Sequence, residues 1–247
     1  FDNDGVISWE LMVERLNSDL ANILGNLVNR TISMSNKYFD GVVRNAGVTE
    51  DVDADLKAVV LDEVKKINDK MDQLRVADAI TEIFNIFRRC NKYIDETMPW
   101  ALAKDEAKKD RLATVLYNLV EAITIGASLL EAFMPETSDK ILSQLQTEKR
   151  ELSAMDQFGL YPDGGKVTDK PEILFARMDI NEVMEKVEAM RAAEAPKEEK
   201  KEEPEEAVID IEAKPEITYD DFAKLQFQVG EIIACEAVKK SKKLLCS

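Results

Sequence analysis

The strongest constraint on this chain is a helical period sustained over most of its first 150 residues. In "SWELMVERLNSDLANILGNLVNRTISMSNKYF" (8–39), Leu11, Leu16, Leu20, Ile23, Leu24, Leu27 and Val28 recur at spacings of three to five. Side chains so spaced share one face of an α-helix and form a stripe that another element must cover, whereas a strand would turn about half of them to water. The period returns over 54–72 through Leu56, Val60, Leu61, Val64 and Ile67, and over 76–94 through Ile80, Ile83, Phe84 and Phe87. It returns again over 111–133 through Leu112, Val115, Leu116, Leu119, Val120, Ile123 and Leu129. Ser8 with Glu10 behind it is an N-cap signal, and Pro135 in "MPETSDKILSQL" sits where a shorter helix would start. With only nine Gly and seven Pro among 247 residues, turn formers are scarce.

Residues 1–155 are therefore expected to be all-α, an antiparallel bundle of five helices joined by short connections. The stripe of one long helix over 8–38 is predicted to bury against 111–133. Residues 156–193 read as an extended strap, "VTDKPEILFARM" (167–178), followed by a short, weakly amphipathic helix over 179–193. Acids outnumber bases in 194–215, which carries Pro196, Pro204 and Pro215 and too little apolar surface to offset chain entropy, so it reads as a disordered acidic linker. In 216–247 the period changes to alternation around Leu225, Phe227 and Val229, with Gly230 where a bend would sit. Those residues are too few for a closed β domain.

Absences narrow the chemistry. No histidine is present, which excludes His-based acid–base catalysis, Ser-His and Cys-His nucleophiles and His-containing metal motifs. Cys90, Cys235 and Cys246 are odd in number and unpaired in spacing, pointing to neither zinc nor a disulfide framework and fitting a reducing, cytoplasmic setting. No uninterrupted apolar run reaches about 18–20 residues, and the N-terminal stretch has no signal-peptide pattern, so no membrane partner is expected. A net charge of −16 opposes polyanion binding on its face, but part of the excess falls in the linker.

Three groups of residues could carry binding. "MPWALAK" (98–104) places Trp100 directly after Pro99 at a break between helical segments. Such a tryptophan either seals the junction as core or stands out as a platform on which an unpaired base stacks. Asn26 and Arg30 stand four apart, one turn along a helix face, where an amide and a guanidinium can read a base edge or simply be solvated. Lys239, Lys240, Lys242 and Lys243 form a basic cluster that suits tRNA backbone phosphate or a solvated turn.

"DLANILGNLVNRTISMSNKYFDG" (19–41), "MPWALAK", "LYNLVEAITIGASLLEAFMPETSDKI" (116–141) and "PEILFARMD" (171–179) resemble, in order and spacing, the anticodon-binding region of methionyl-tRNA synthetases. "YDDFAKLQFQVGEIIACEAV" (219–238) resembles the opening of the tRNA-binding OB-fold domain that many bacterial members carry after an acidic linker. The resemblance implies that this chain binds tRNA(Met) and reads its CAU anticodon, with Asn26 and Arg30 as base readers and Trp100, after Pro99, as platform. It also implies a catalytic domain in cis, upstream, which would hold ATP, Mg and in some members Zn; none is expected in this chain, which has no catalytic residues of its own. A complete OB-fold domain would add homodimerisation and tRNA affinity, but only its first portion is present here. The competing expectation is a non-enzymatic acidic helical adaptor that binds proteins, for which no CAU stem-loop would be a ligand.

Overall fold

The computed structural model describes residues 7–194, 218–225, 235–237 and 244–246. Its first helix begins as the N-cap signal predicts: the Ser8 hydroxyl accepts the Leu11 N–H at 3.2 Å. The helix runs unbroken through α1 (Trp9–Arg15), a π-helical segment (Leu16–Gly25) and α2 (Asn26–Phe39). Leu24, Leu27, Val28 and Ile32 are buried.

The stripe does not have one partner, which corrects the expectation that 111–133 covers it. Its N-terminal part lies against a distant helix, Ile180–Glu194, the π segment against Val76–Thr97, and only α2 against Lys109–Leu130. The wider i→i+5 turns advance each residue by less than an α turn does, so the apolar face swings about the axis and meets successive neighbours. Leu11 and Met12, at the end with least cover, stay 42% and 50% exposed.

A hairpin of α3 (Asp51–Asp72) and α4 (Val76–Thr97) follows. The structure starts α3 three residues earlier than the apolar period suggests, because the Asp53 carboxylate accepts the Glu50 N–H at 2.7 Å and supplies the first turn's cap. After the short α5 (Pro99–Leu102) comes α6 (Lys109–Leu130), the central helix, in which every residue from Arg111 to Leu130 is buried. This helix with its lead-in turn is long and apolar enough on average to cross a bilayer, but the bundle buries its apolar stretch, every residue from Arg111 to Leu130, as it does for a core helix, and only residues 106–110 are exposed. Gly126 on α6 lets Phe87 of α4 approach: a Cβ there would lie 2.6 Å from the ring. The last helix of the bundle is α7 (Pro135–Gln144), with proline in its first turn.

Most buried polar side chains of the bundle are paired, with Thr31 Oγ1, Glu63 Oε2 and Gln144 Nε2 left without a hydrogen-bond partner among the described residues. Asp53 accepts from Arg111 at 2.8 and 3.1 Å and from the Tyr93 hydroxyl, tying α3, α4 and α6 at one point. A two-residue ladder also enters the region expected to hold only helix: β1 (Val42–Val43) pairs antiparallel with β2 (Gly165–Lys166). Asp40 and Gly41, at φ 51° and 81°, turn the chain out of α2 and lay it alongside the returning segment. From there the predicted strap crosses the bundle without helical structure and leads into α8 (Ile180–Glu194).

A second unit spans Pro196–Ser247. Within it, α9 (Tyr219–Phe222) is one helical turn, ahead of the alternation around Leu225, Phe227 and Val229, of which Phe227 and Val229 lie outside the described residues. β3 (Cys235–Ala237) pairs antiparallel with β4 (Leu244–Cys246). The predicted linker, beyond Glu194 of α8, lies outside the described residues, as do Lys239, Lys240, Lys242 and Lys243.

Candidate nucleic-acid interface

The break before Trp100 has a local cause. Pro99 has no N–H to continue α4 and disfavours the helical region for the residue before it, and Met98 sits in the left-handed region at φ 44°, ψ 64°. The chain restarts with Pro99 as the first residue of α5, and Pro99 is buried. Trp100, one residue later, is 43% exposed, and its indole N–H has no hydrogen-bond partner among the described residues. The junction is sealed by the proline, not by the tryptophan.

Asn26 opens α2 and Arg30 follows one turn on; with Ser33 and Lys37 they make an exposed stripe at helical spacing. Among the described residues, the side chains of Asn26 and Arg30 make no hydrogen bond or ion pair. Their neighbours on the same helix do: Asn17 holds the backbone of Met178 from both sides, at 2.8 and 2.9 Å, Asn22 accepts from Arg177, and Arg15 pairs with Asp19 at 3.4 Å.

Two contacts fix the direction of α4 along this helix. Arg88 reaches Asp19 at 3.4 Å and Asn91 donates to the Ile23 carbonyl at 3.0 Å, so residue numbers rise together along the seam. At about 1.5 Å per residue, the end of α4 and the Pro99–Trp100 turn lie toward the Arg30 end of α2. The segment after Trp100 then closes on the last turn of α2, where Lys37, Tyr38, Leu102, Ala103 and Lys109 share a small cavity of about 170 Å³. Acids there are engaged: Asp105 caps the Ala107 N–H at 3.1 Å and Glu106 pairs with Lys109 at 3.0 Å, while Lys37 and Lys104 carry no ion pair among the described residues.

A larger cleft, about 430 Å³, lies between the first helix and the strap. Asn26 is on its wall, with Gly25, Asn29, Phe175 and Arg177. Sequence reasoning marked the strap "PEILFARMD" but assigned none of its residues a role; small residues at Ala21 and Gly25, one turn apart, were the signal that another segment approaches there. No group of three or more His, Cys, Asp or Glu that could hold a metal ion occurs among the described residues.

The described bundle is the fold of a helical anticodon-binding domain of an aminoacyl-tRNA synthetase. Mycobacterium tuberculosis methionyl-tRNA synthetase in its free state superposes with a TM-score of 0.67 at 35% identity, over 72% of this chain and 36% of that one. The same enzyme bound to methionyl-adenylate gives 0.62 at 34% identity over 68% and 33%. Among curated relatives, the methionine–tRNA ligases of Clostridium perfringens and Caldanaerobacter subterraneus are 40% and 44% identical over 99% of this chain. Residues 43–195 match the family described as the anticodon binding domain of methionyl tRNA ligase, and the chain belongs to that family. It spans 37% of the length of each of those two relatives.

Proposed function

We propose that this chain recognises the CAU anticodon of tRNA(Met) on the surface formed by the start of α2 and the turn before α5. The observation that carries the reading is that Asn26 and Arg30 stand exposed one turn apart on α2 and Trp100 stands exposed beside buried Pro99 on a neighbouring part of the bundle, none of the three side chains having a hydrogen-bond or ion-pair partner among the described residues. Trp100 offers its face to an unstacked base, and the Asn26 amide and Arg30 guanidinium offer donors and an acceptor to base edges. Buried Pro99 holds the platform in place. In the longer protein, ligation of methionine to tRNA with ATP and Mg is the task of a region outside this chain, in the cytoplasm where translation occurs, and anticodon reading places the acceptor end of the right tRNA there. A complete OB-fold domain, with lysines 239, 240, 242 and 243 toward phosphate, belongs to the same reading.

Titration of the chain with a CAU stem-loop and with loops of other anticodon tests this. Tighter, salt-sensitive binding of the CAU loop is expected. Equal or absent binding favours the protein-binding adaptor.

A further inference from the structure

We propose that the cleft between the first helix and the strap is a second nucleobase subsite, in which an unpaired base lies on Phe175 while Asn26 and Asn29 meet its edge. The proposal rests on the anticodon-reading function above and divides its work: Trp100 does not line this cleft, so one base cannot occupy both places.

The cleft has the required parts. Its volume, about 430 Å³, admits a planar base with room for hydrating water. Gly25 presents no side chain at the back, and a Cβ there would stand 3.8 Å from the Phe175 ring, so the ring is close to the helix yet only partly buried. Asn26 is exposed with its amide unpartnered, and Asn29 is engaged only as acceptor for Ser33 at 3.3 Å, which leaves its NH2 free to donate. The two amides together offer donors and an acceptor, the mixed set that a base edge needs.

The opposing wall is anchored rather than loose. Arg177 donates to Asn22, and Met178 is held through both its N–H and C=O by Asn17. Those anchors sit in the π-helical segment, whose widened turns aim Asn17 and Asn22 at the strap. Ile173, 77% exposed at the rim, adds apolar surface beside the entry. A flat ligand with apolar faces and a polar edge fits such a slot, and an RNA loop supplies several.

The test is a set of double-mutant cycles on the full chain. CAU stem-loops are made with one unpaired nucleotide at a time replaced by an abasic residue, and each is titrated against the wild type, Phe175→Leu and Trp100→Leu. Leucine keeps the apolar bulk that packs the strap and removes the aromatic face. One loop position is expected to lose about 5- to 150-fold in affinity when abasic, the range that stacking one base spans, and most of that loss disappears in Phe175→Leu. Trp100→Leu couples to a different position. The proposal is overturned if Phe175→Leu binds every loop as the wild type does, or if both variants couple to the same nucleotide. Phe175→Tyr, which restores the ring, returns the coupling; failure of that rescue assigns Phe175 to packing. If the wild type binds no CAU loop, the anticodon reading falls and the subsite with it, whereas wild-type binding without Phe175 coupling removes the subsite alone.

Discussion

Glu121 on the central helix and Arg150, 29 residues later, meet inside the protein as a two-pronged ion pair, with Nη1 to Oε1 at 2.6 Å and Nη2 to Oε2 at 2.9 Å. The same carboxylate accepts the N–H groups of Gly159, Leu160 and Tyr161 at 2.8, 3.1 and 2.8 Å. One buried charge thus pins the entry of the strap to α6. Burial by itself raises the Glu121 carboxyl, but the Arg150 guanidinium and the strap N–H groups outweigh it and hold the pKa below the ordinary value.

Removing that charge is expected to cost stability, because the change strands a buried guanidinium and backbone donors. Glu121→Gln should lower unfolding free energy by about 3–5 kcal/mol, read by urea denaturation, and should speed amide exchange at 159–161. The pH dependence has a definite sign. A carboxyl whose pKa is depressed by folding contributes fully above its unfolded value and loses that contribution as pH falls through the folded one. Wild type should lose stability on the acid side more steeply than Glu121→Gln.

Trp100→Ala is expected to weaken CAU stem-loop binding by about 1–3 kcal/mol with little change in thermal unfolding. A core tryptophan would instead cost about 3–5 kcal/mol of stability. Parallel titration and circular-dichroism melts separate the two outcomes.

Arg30→Ala should narrow the affinity gap between CAU and other anticodon loops while leaving the helical signal intact, since a base-edge contact carries sequence information that a phosphate contact lacks. Uniform weakening across all loops would place Arg30 on the backbone instead.

Gly126→Ala should destabilise the bundle by about 1–3 kcal/mol through overpacking, as the new methyl meets the Phe87 ring at 2.6 Å. Phe87 is fully buried and has little room to swing away. Adding Phe87→Leu should recover part of the loss, measured by urea denaturation of the single and double variants.

Cys90 is wholly buried, and burial pushes its thiol up to about 12. In a Cys235→Ser, Cys246→Ser background it should resist a thiol reagent at neutral pH and react at the rate of unfolding.

Much of the bundle was legible because a covered helix face repeats in sequence with the period of the helix itself. The segments around Leu56, Ile83 and Leu116 announce their buried sides without reference to any neighbour. Helix ends were less legible: α3 starts early because of a cap at Asp53, which apolar spacing does not register. At the candidate site, Pro99 and the four-residue step from Asn26 to Arg30 are local facts, and both survive in the structure.

Sequence by itself determined the helices, the break at Met98–Pro99 and the family resemblance, since each depends on residues near one another in the chain or on their order. Tertiary structure decided which neighbour covers each part of the first helix, that Trp100 is left open while Pro99 is buried, and that Phe175 comes to face Gly25. It also decided the pairing of Glu121 with Arg150 and of Asp53 with Arg111. A buried charge needs a partner, and which residue supplies it depends on where packing brings distant segments together, a relation with no period along the chain.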